Sequence, residues 1–276
     1  MLHRRAALSL LAGLAACRRG RILSHEEYAD IEHDMPYVLR FAREDGALLF
    51  FGAKHIDDAG DAQVARIAAL WAEFRPTLAF NEGGDPPVEA SLVTAAARFG
   101  ESGLVRFLAR RDGVPAASIE PSMRAQVEAL RTSGFSDEQI LVFFVLRQVP
   151  QHRARAGVPM DEARLVEVLR HFHAATGISA PATADELASA SARLLPPLRH
   201  WSEAPAAWFD PVFTRPAAFT NAANRRVSQV RDAWVVELLA DRMRRGERVF
   251  ATMGASHVVM QEPALRARLG RPERLA

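Results

Sequence analysis

Cysteine and lysine are nearly absent from this chain of 276 residues, since each occurs once, as Cys17 and Lys54. A single cysteine excludes an intramolecular disulfide, so no disulfide framework holds the fold together. Arginine carries almost all of the positive charge, and the formal net charge is only +2. Because the arginines are spread along the whole chain and form no basic patch, we expect no nucleic-acid partner.

The first apolar stretch of the chain, residues 6–16, is too short to span a bilayer. It follows the basic His3-Arg4-Arg5 and runs through Leu14-Ala-Ala into Cys17. A basic region, an apolar region and small residues before a processing point are typical of a secretory leader. Because this leader ends in the form of a bacterial lipobox, we predict a lipoprotein signal peptide over residues 1–16. A plain signal peptide with an accidental cysteine is the alternative.

Lipidation of Cys17 would anchor the protein to a membrane, so the predicted location is the bacterial cell envelope. Arg18, rather than an aspartate, follows the cysteine. This resembles sorting to the periplasmic face of the outer membrane, where the host has one. Residues 17–36 are polar and charged without a clear period, and we predict that they form the lipidated cysteine and a tether.

Short apolar runs of strand length lie towards both ends of the chain. Four of them predict strands, at residues 47–52, 77–80, 116–119 and 249–253. A helical pattern separates the first two, and a strand, helix, strand order predicts parallel pairing. The middle of the chain has helical spacing. We therefore predict an α/β fold, a mostly parallel sheet flanked by helices, as a single domain over residues 37–276 with a helical insertion at about 122–218.

Two copies of a Gly-x-x-His pattern follow predicted strands near the two ends of the chain. Gly52-Ala-Lys-His55 ends the first strand, and Gly254-Ala-Ser-His257 ends the last. Glu82 and Glu120 follow the two strands between them. In an open parallel sheet, ligands bind outside the carboxyl ends of the strands. We therefore expect these side chains to converge at one edge of the sheet, with the two imidazoles sharing a metal or substrate atom.

The chemistry of these side chains suits hydrolysis. Two histidines and a glutamate, here His55, His257 and Glu82, would hold a divalent metal and leave a position for an activated water. Zinc, manganese and cobalt are not distinguished by the sequence. In a metal-free version, His55 is a general base oriented by a glutamate. The alternative for each residue alone is structural: a histidine that caps or packs after a glycine turn, or an exposed acid in a loop.

His25 and His33 lie among acidic residues of the predicted tether, which we interpret as a solvated acidic linker, with a metal site as the alternative. Four further histidines are interpreted as packing or surface residues: His152, His171, His173 and His200. Arg231 lies in a long predicted helix, and mid-helix arginines usually face solvent. Its neighbours Val227, Val230 and Trp234 are apolar, however. We therefore expect Arg231 at the edge of a buried face, where it needs an anionic partner.

The order of these motifs resembles the TraB/GumN/Tiki group of hydrolases, within a superfamily that includes erythromycin-esterase and ChaN-like proteins. The resemblance rests on Gly52-x-x-His55, Glu82 after a strand, Ser228-x-x-Arg231 on a helix, and Gly254-x-x-His257. Two positions differ from related patterns: Ala53 stands where the esterase branch favours glutamate, and Asp232 stands where the TraB-like pattern favours asparagine.

The resemblance implies roles for His55, Glu82, Arg231 and His257, and Glu120 resembles the second acid of the esterase and ChaN-like branches. Our hypothesis is that His55, Glu82 and His257 hold a divalent metal or position water, Glu120 acts as general base, and Arg231 stabilises the developing oxyanion. The implied protein is a lipid-anchored, metal-dependent hydrolase acting on a peptide or ester bond of a peptide or small-molecule substrate.

Two other functions are compatible with the sequence. ChaN-like members of the superfamily imply a haem- or iron-binding lipoprotein, in which aromatic residues of the 201–219 segment or the helices would line an apolar haem pocket. The third possibility is a degenerate scaffold that retains the fold without turnover.

Overall fold

The computed structural model describes residues 20–56, 58–212 and 217–275. Within these ranges one six-stranded sheet has the strand order β4-β3-β5-β2-β1-β6. The strands are β1 (Tyr37–Ala42), β2 (Ala47–Ala53), β3 (Leu78–Asn81), β4 (Ala116–Ser118), β5 (Arg248–Gly254) and β6 (Glu273–Leu275). Strands β2, β3, β4 and β5 form parallel pairs, while β1 is antiparallel to β2 and β6. The predicted α/β class with a mostly parallel sheet is confirmed.

The α helices of the described ranges are numbered here in chain order. They are α1 (His25–Ala29), α2 (Ala62–Phe74), α3 (Leu92–Arg111), α4 (Met123–Thr132), α5 (Asp137–Ala156), α6 (Glu162–Thr176), α7 (Ala184–Leu194), α8 (Phe219–Arg244) and α9 (Ala255–Leu269). Short 3₁₀ helices span Trp201–Glu203 and Ala206–Phe209. Asp61 caps the amino end of α2 by accepting the N–H of Gln63, which satisfies one of the unpaired donors of the first turn.

The closing helix begins earlier than its sequence pattern predicts. The pattern places its start at Glu262, just before Pro263, because proline is favoured in the first turn of a helix. The helix instead starts at Ala255, directly after β5, and Pro263 lies in its interior. His257 therefore belongs to the first turn of α9 and not to a loop.

The two faces of the sheet are covered by different helices. On the first face, α2 and α3 pack Val64, Trp71 and Leu108 against strand residues that include Phe51 and Phe250. On the second face, α9 and the part of α8 from Asp232 onward pack against the alternate strand residues, such as Leu48, Phe50 and Ala251. Successive side chains of a strand point to opposite faces, so a wholly buried strand such as β2 supplies both cores.

The chain divides into two compact units, one containing residues up to Glu120 and from Asp232 onward, the other spanning Pro121–Arg231. The first unit contains the sheet. The second is helical, and its core includes Phe143, Leu146, Leu165 and Trp208. The interpretation of this helical segment as an insertion into a single domain over residues 37–276 stays a prediction.

The described part of the predicted tether, residues 20–36, packs on the first unit. Helix α1 begins with a capping box between Ser24 and Glu27, and the N–H of Leu23 donates to the carbonyl of Met260 at 2.9 Å. The leader and Cys17 lie outside the described residues. None of the described helices is both long and apolar enough to cross a membrane.

Candidate functional site at the carboxyl edge of the sheet

The carboxyl ends of β2 and β5 form a topological switch point. The two strands are parallel neighbours, with Ala53 paired to Gly254. After β2 the chain passes to α2 on the first face, whereas after β5 it passes to α9 on the second face. Connections that leave adjacent parallel strands towards opposite faces open a crevice between them, where open α/β sheets bind ligands. His55 and His257 lie on these two connections.

The three residues after β2 are each fixed by a separate contact on the first face. The side chain of Gln63 accepts the N–H of Lys54 at 2.9 Å and donates to its carbonyl at 2.7 Å. The Nδ1 atom of His55 lies 2.7 Å from Oε1 of Glu101. The carbonyl of Ile56 would lie 2.7 Å from a Cβ at position 100, so only glycine fits there without a shift. His55 is therefore held in place although 71% of its side chain is exposed.

Glu101 is a candidate site residue of this segment that the sequence patterns did not reveal. It is only 4% exposed, and it directly follows Gly100, whose φ of 57° breaks the helical stretch Leu92–Arg111. A left-handed backbone favours glycine, because side chains with a Cβ are strained there. The break and the close approach to Ile56 place the next carboxylate against His55. The signal in the sequence was Gly100-Glu101-Ser-Gly103, a pair of glycines around an acid inside a helical pattern.

The contact between Glu101 and His55 defines the tautomer of the imidazole. An ionised carboxylate only accepts hydrogen bonds, so Nδ1 of His55 carries the proton and donates a hydrogen bond to Glu101. The Nε2 atom then presents a lone pair. A Cβ added at Gly254 would lie 3.3 Å from Nε2 of His55 and 3.6 Å from Oε2 of Glu82. The basic nitrogen and the Glu82 carboxylate thus face the same small volume above Gly254.

Glu82 is held at this volume by its neighbours. Its Oε2 accepts the N–H of Gly254 at 2.6 Å, and its carbonyl accepts the hydroxyl of Ser102 at 2.7 Å. Arg106 donates to Oδ1 of Asn81 at 2.6 Å and forms an ion pair with Asp85. Burial lowers the pKa of the Arg106 guanidinium from its ordinary value. These contacts fix the turn after β3 from the α3 side.

His257 has a carboxylate partner of its own on the second face. Its Nδ1 lies 2.7 Å from Oδ1 of Asp232, and Nε2 of Gln261 donates to the same oxygen at 2.7 Å. The Asp232 side chain is 2% exposed and that of His257 is 14% exposed. By the same tautomer argument, Nδ1 of His257 is protonated and Nε2 carries the lone pair. Asp232 was noted in the sequence only as a departure from a family pattern, and its role was missed.

The other two predicted site residues have different surroundings. Glu120 follows β4, and its Oε1 accepts the N–H of Gly83 at 3.4 Å. Gly83 directly follows Glu82 in the chain. Arg231 is 5% exposed, as expected for an arginine on a buried face. It is the last residue of the helical unit, and its role at the site stays a prediction. The convergence of all five side chains also stays a prediction.

The aromatic residues expected to line a haem pocket lie in the core of the helical unit. Trp201, Trp208 and Phe209 are 5%, 6% and 7% exposed and pack within one apolar cluster. The haem-binding alternative stays a prediction.

Part of the donor arrangement resembles that of a divalent-metal site. Metal-binding imidazoles commonly hold their second nitrogen on a carboxylate, and the Glu101–His55 and Asp232–His257 pairs have this form. Over residues 20–56, 58–212 and 217–275, however, no group of three or more histidine, cysteine or acidic side chains is close enough to hold an ion. As placed, the described residues do not form a three-ligand site.

Comparison of the chain with family models, curated proteins and solved structures finds no match.

Proposed function

We propose that this protein is a hydrolase that cleaves an ester or peptide bond at the β2–β5 switch point, with His55 as the general base. The observation that supports the proposal most directly is the Glu101–His55 pair. A buried carboxylate fixes Nδ1 at 2.7 Å, and 71% of the imidazole side chain is open to substrate. A general base needs this combination of a fixed tautomer and an accessible lone pair.

In the proposed reaction, Nε2 of His55 takes a proton from a water that lies between the imidazole and Glu82. The resulting hydroxide attacks the carbonyl carbon, forming a C–O bond and a tetrahedral oxyanion. Collapse of this intermediate breaks the bond to the alcohol or amine, which takes the proton from Nε2. Glu101 stabilises the intermediate imidazolium through the Nδ1 hydrogen bond. A second imidazole fixed in the same way, His257, is available for proton transfer on the other side of the crevice.

This proposal gives the base role to His55 rather than to Glu120. The reason is that His55 has a buried orienting partner on its distal nitrogen, and a histidine changes charge in the neutral pH range where hydrolases operate. A divalent metal on Nε2 of either histidine is the alternative, and it would supply a more acidic bound water.

The proposal also places the enzyme in the cell envelope through a lipidated Cys17. Its sequence support is the leader, and acylation is tested by mass spectrometry of the amino-terminal peptide after expression with the native leader. Loss of residues 1–16 and a lipid mass on Cys17 are expected. An unmodified Cys17 would contradict the anchor without affecting the proposed reaction.

The hydrolase proposal is tested with a panel of chromogenic esters and fluorogenic peptides and three variants. His55→Ala should lower kcat/KM by about 10²- to 10⁴-fold, the usual contribution of a general base. Glu101→Gln loses a hydrogen bond to a charged group, about 1.5–3 kcal/mol, or about 10- to 150-fold in rate. His171→Ala is the matched control, because His171 is exposed on the helical unit, and it should retain full activity. Equal activity of His55→Ala and wild type on every substrate turned over would refute the proposal.

Dialysis against a chelator separates the two versions of the chemistry. If His55 is the base without a metal, activity remains after dialysis and adding zinc, manganese or cobalt salts does not raise it. Activity that is lost on dialysis and restored by one of these metals would instead assign His55, Glu82 and His257 to metal binding.

A further inference from the structure

Lys54 is the residue of the β2–α2 connection that the proposed reaction leaves without a role. It directly precedes His55 and is the only lysine in a chain whose other basic side chains, apart from histidine, are arginines. Its peptide is fixed on both sides by the buried Gln63 side chain. Lys54 itself is exposed. The ammonium group is thus presented to solvent from a rigid backbone and not from a loose loop.

The acids of the described site already have donors. Glu101 accepts from His55, Asp232 accepts from His257 and Gln261, and Glu82 accepts from the backbone of Gly254. Arg106, a half-buried cation of α3, is paired with Asp85. In the parts of the chain that the structure describes, no carboxylate forms an ion pair with Lys54. The ammonium of Lys54 therefore has no ion-pair partner among the described carboxylates.

We infer that Lys54 binds an anionic group of the substrate, a carboxylate or a phosphate, close to the bond that is cleaved. Adjacent Cα atoms are about 3.8 Å apart and both side chains are exposed, so an anionic group of a substrate held at His55 lies within reach of the flexible lysine side chain. A lysine ammonium is a compact, rotatable point charge that binds carboxylate or phosphate oxygens without the fixed fork of arginine. This inference rests on the proposed function, which makes the site hydrolytic. It adds the class of substrate: an ester or amide that carries a negative charge.

The single lysine allows a binding test that does not depend on turnover. The full-length protein is acetylated with a water-soluble N-hydroxysuccinimide ester, and modification of Lys54 is followed by mass spectrometry, with Nα-acetyl-lysine amide in the same tube as reference amine. Monomethyl glutarate and inorganic phosphate are the anionic probes. Dimethyl glutarate is the neutral probe, and sodium chloride matches the ionic strength. We expect either anion to slow acetylation of Lys54 relative to the reference amine, and the neutral diester to have no effect.

A matched variant moves the lysine to the opposite end of β2. Arg43 is exposed in the β1–β2 turn, and β2 spans seven residues. The double variant Lys54→Arg/Arg43→Lys should show no protection by either anion. Equal labelling of Lys54 with anion and with chloride, or equal protection in the double variant, would overturn the inference. Protection by phosphate but not by the monoester would identify a phosphate as the recognised oxyanion.

A kinetic arm separates this inference from the proposed function. Mono-p-nitrophenyl glutarate and p-nitrophenyl butyrate are compared as charged and neutral substrates. Lys54→Met should raise the ratio of KM for the charged ester to KM for the neutral ester about three- to fivefold, as for loss of an exposed ion pair. Lys54→Arg should retain the lower KM for the charged ester. If neither ester is turned over but an anion still protects Lys54, the anion site stands and the proposed ester hydrolysis fails. If both esters are hydrolysed equally well, the proposed ester hydrolysis stands and the anion site fails.

Discussion

Replacing Gly254 by alanine tests where the proposed reaction takes place, and we expect the variant to keep its fold. The φ of −53° and ψ of 139° of Gly254 are allowed for alanine, and it is the residue before the first turn of α9. Replacing glycine by alanine there loses about 1 kcal/mol or less of capping preference. Reduced freedom of the unfolded chain recovers about 0.4–1 kcal/mol. Because the two terms offset, the free energy of unfolding of Gly254→Ala should differ from wild type by less than about 1 kcal/mol.

The added methyl group would occupy the space between the two proposed catalytic groups. It would lie 3.3 Å from Nε2 of His55 and 3.6 Å from Oε2 of Glu82, which is where the attacking water must sit to contact both. The water is excluded or the imidazole moves. A displacement of about 1 Å in a catalytic group costs about 10²-fold in rate. We therefore expect kcat/KM of Gly254→Ala to fall about 10²-fold in the hydrolysis assay.

Gly60→Ala is the control for this variant. Its Cβ would also meet its nearest atom at 3.3 Å, but that atom is a carboxylate oxygen of Asp58, which can move, and the φ of Gly60 is not in the left-handed region. Thermal and denaturant unfolding verify that both variants fold, and the hydrolysis assay compares their rates. A folded Gly254→Ala protein with the activity of wild type would refute the placement of the reaction above Gly254.

Two further predictions concern helix α3. Gly100→Ala should lower the free energy of unfolding by more than the roughly 1–2 kcal/mol cost of a left-handed backbone, because its Cβ would lie 2.7 Å from the carbonyl of Ile56. Gly134→Ala is the control, since Gly134 has a φ of 88° and a Cβ there would meet no atom within 4 Å. In denaturant titration this control should show the backbone cost alone. At the end of α3, hydrogen bonds from Arg111 and from Trp71 lower the pKa of Asp112. A lowered folded-state pKa stabilises the protein above the unfolded value of about 4, and this stability is lost as the pH falls through the folded value. Asp112→Asn should therefore show a smaller fall in Tm than wild type between pH 7 and pH 3; an equal fall would contradict the pKa assignment.

The strand ends could be predicted from sequence because their signals are local. An apolar run ending in glycine indicates where β2 and β5 end. The histidines three residues beyond each glycine are therefore predicted to lie just past the strand ends. Parallel pairing then places both at one edge of the sheet. The partners Glu101 and Asp232 could not be found in this way, because they lie on helices that reach the histidines only through the tertiary fold. A buried acid in a helical pattern looks like a solvated one until its neighbours are known.

The start of α9 was missed for a related reason. Glycine after an apolar run is typical of a turn, and proline is typical of the first turn of a helix. In the structure, Gly254 is the residue at which strand passes directly into helix, without a connecting loop. That short connection brings the N–H of Gly254 to the Glu82 carboxylate and puts His257 in the first helical turn. The helix start is thus determined by tertiary contacts that no local pattern contains.

The two histidines depend on helices from opposite sides of the sheet. Glu101 reaches His55 from α3 on the first face, and Asp232 reaches His257 from α8 on the second. Both carboxylates are buried, and removing one member of a buried charged pair is destabilising. Removing the imidazole of His55 takes away the described donor to Glu101, whereas Asp232 keeps the hydrogen bond from Gln261 after loss of His257. Loss of either histidine should thus reduce stability as well as activity, so a hydrolysis assay of these variants is interpretable only when their unfolding is measured beside it.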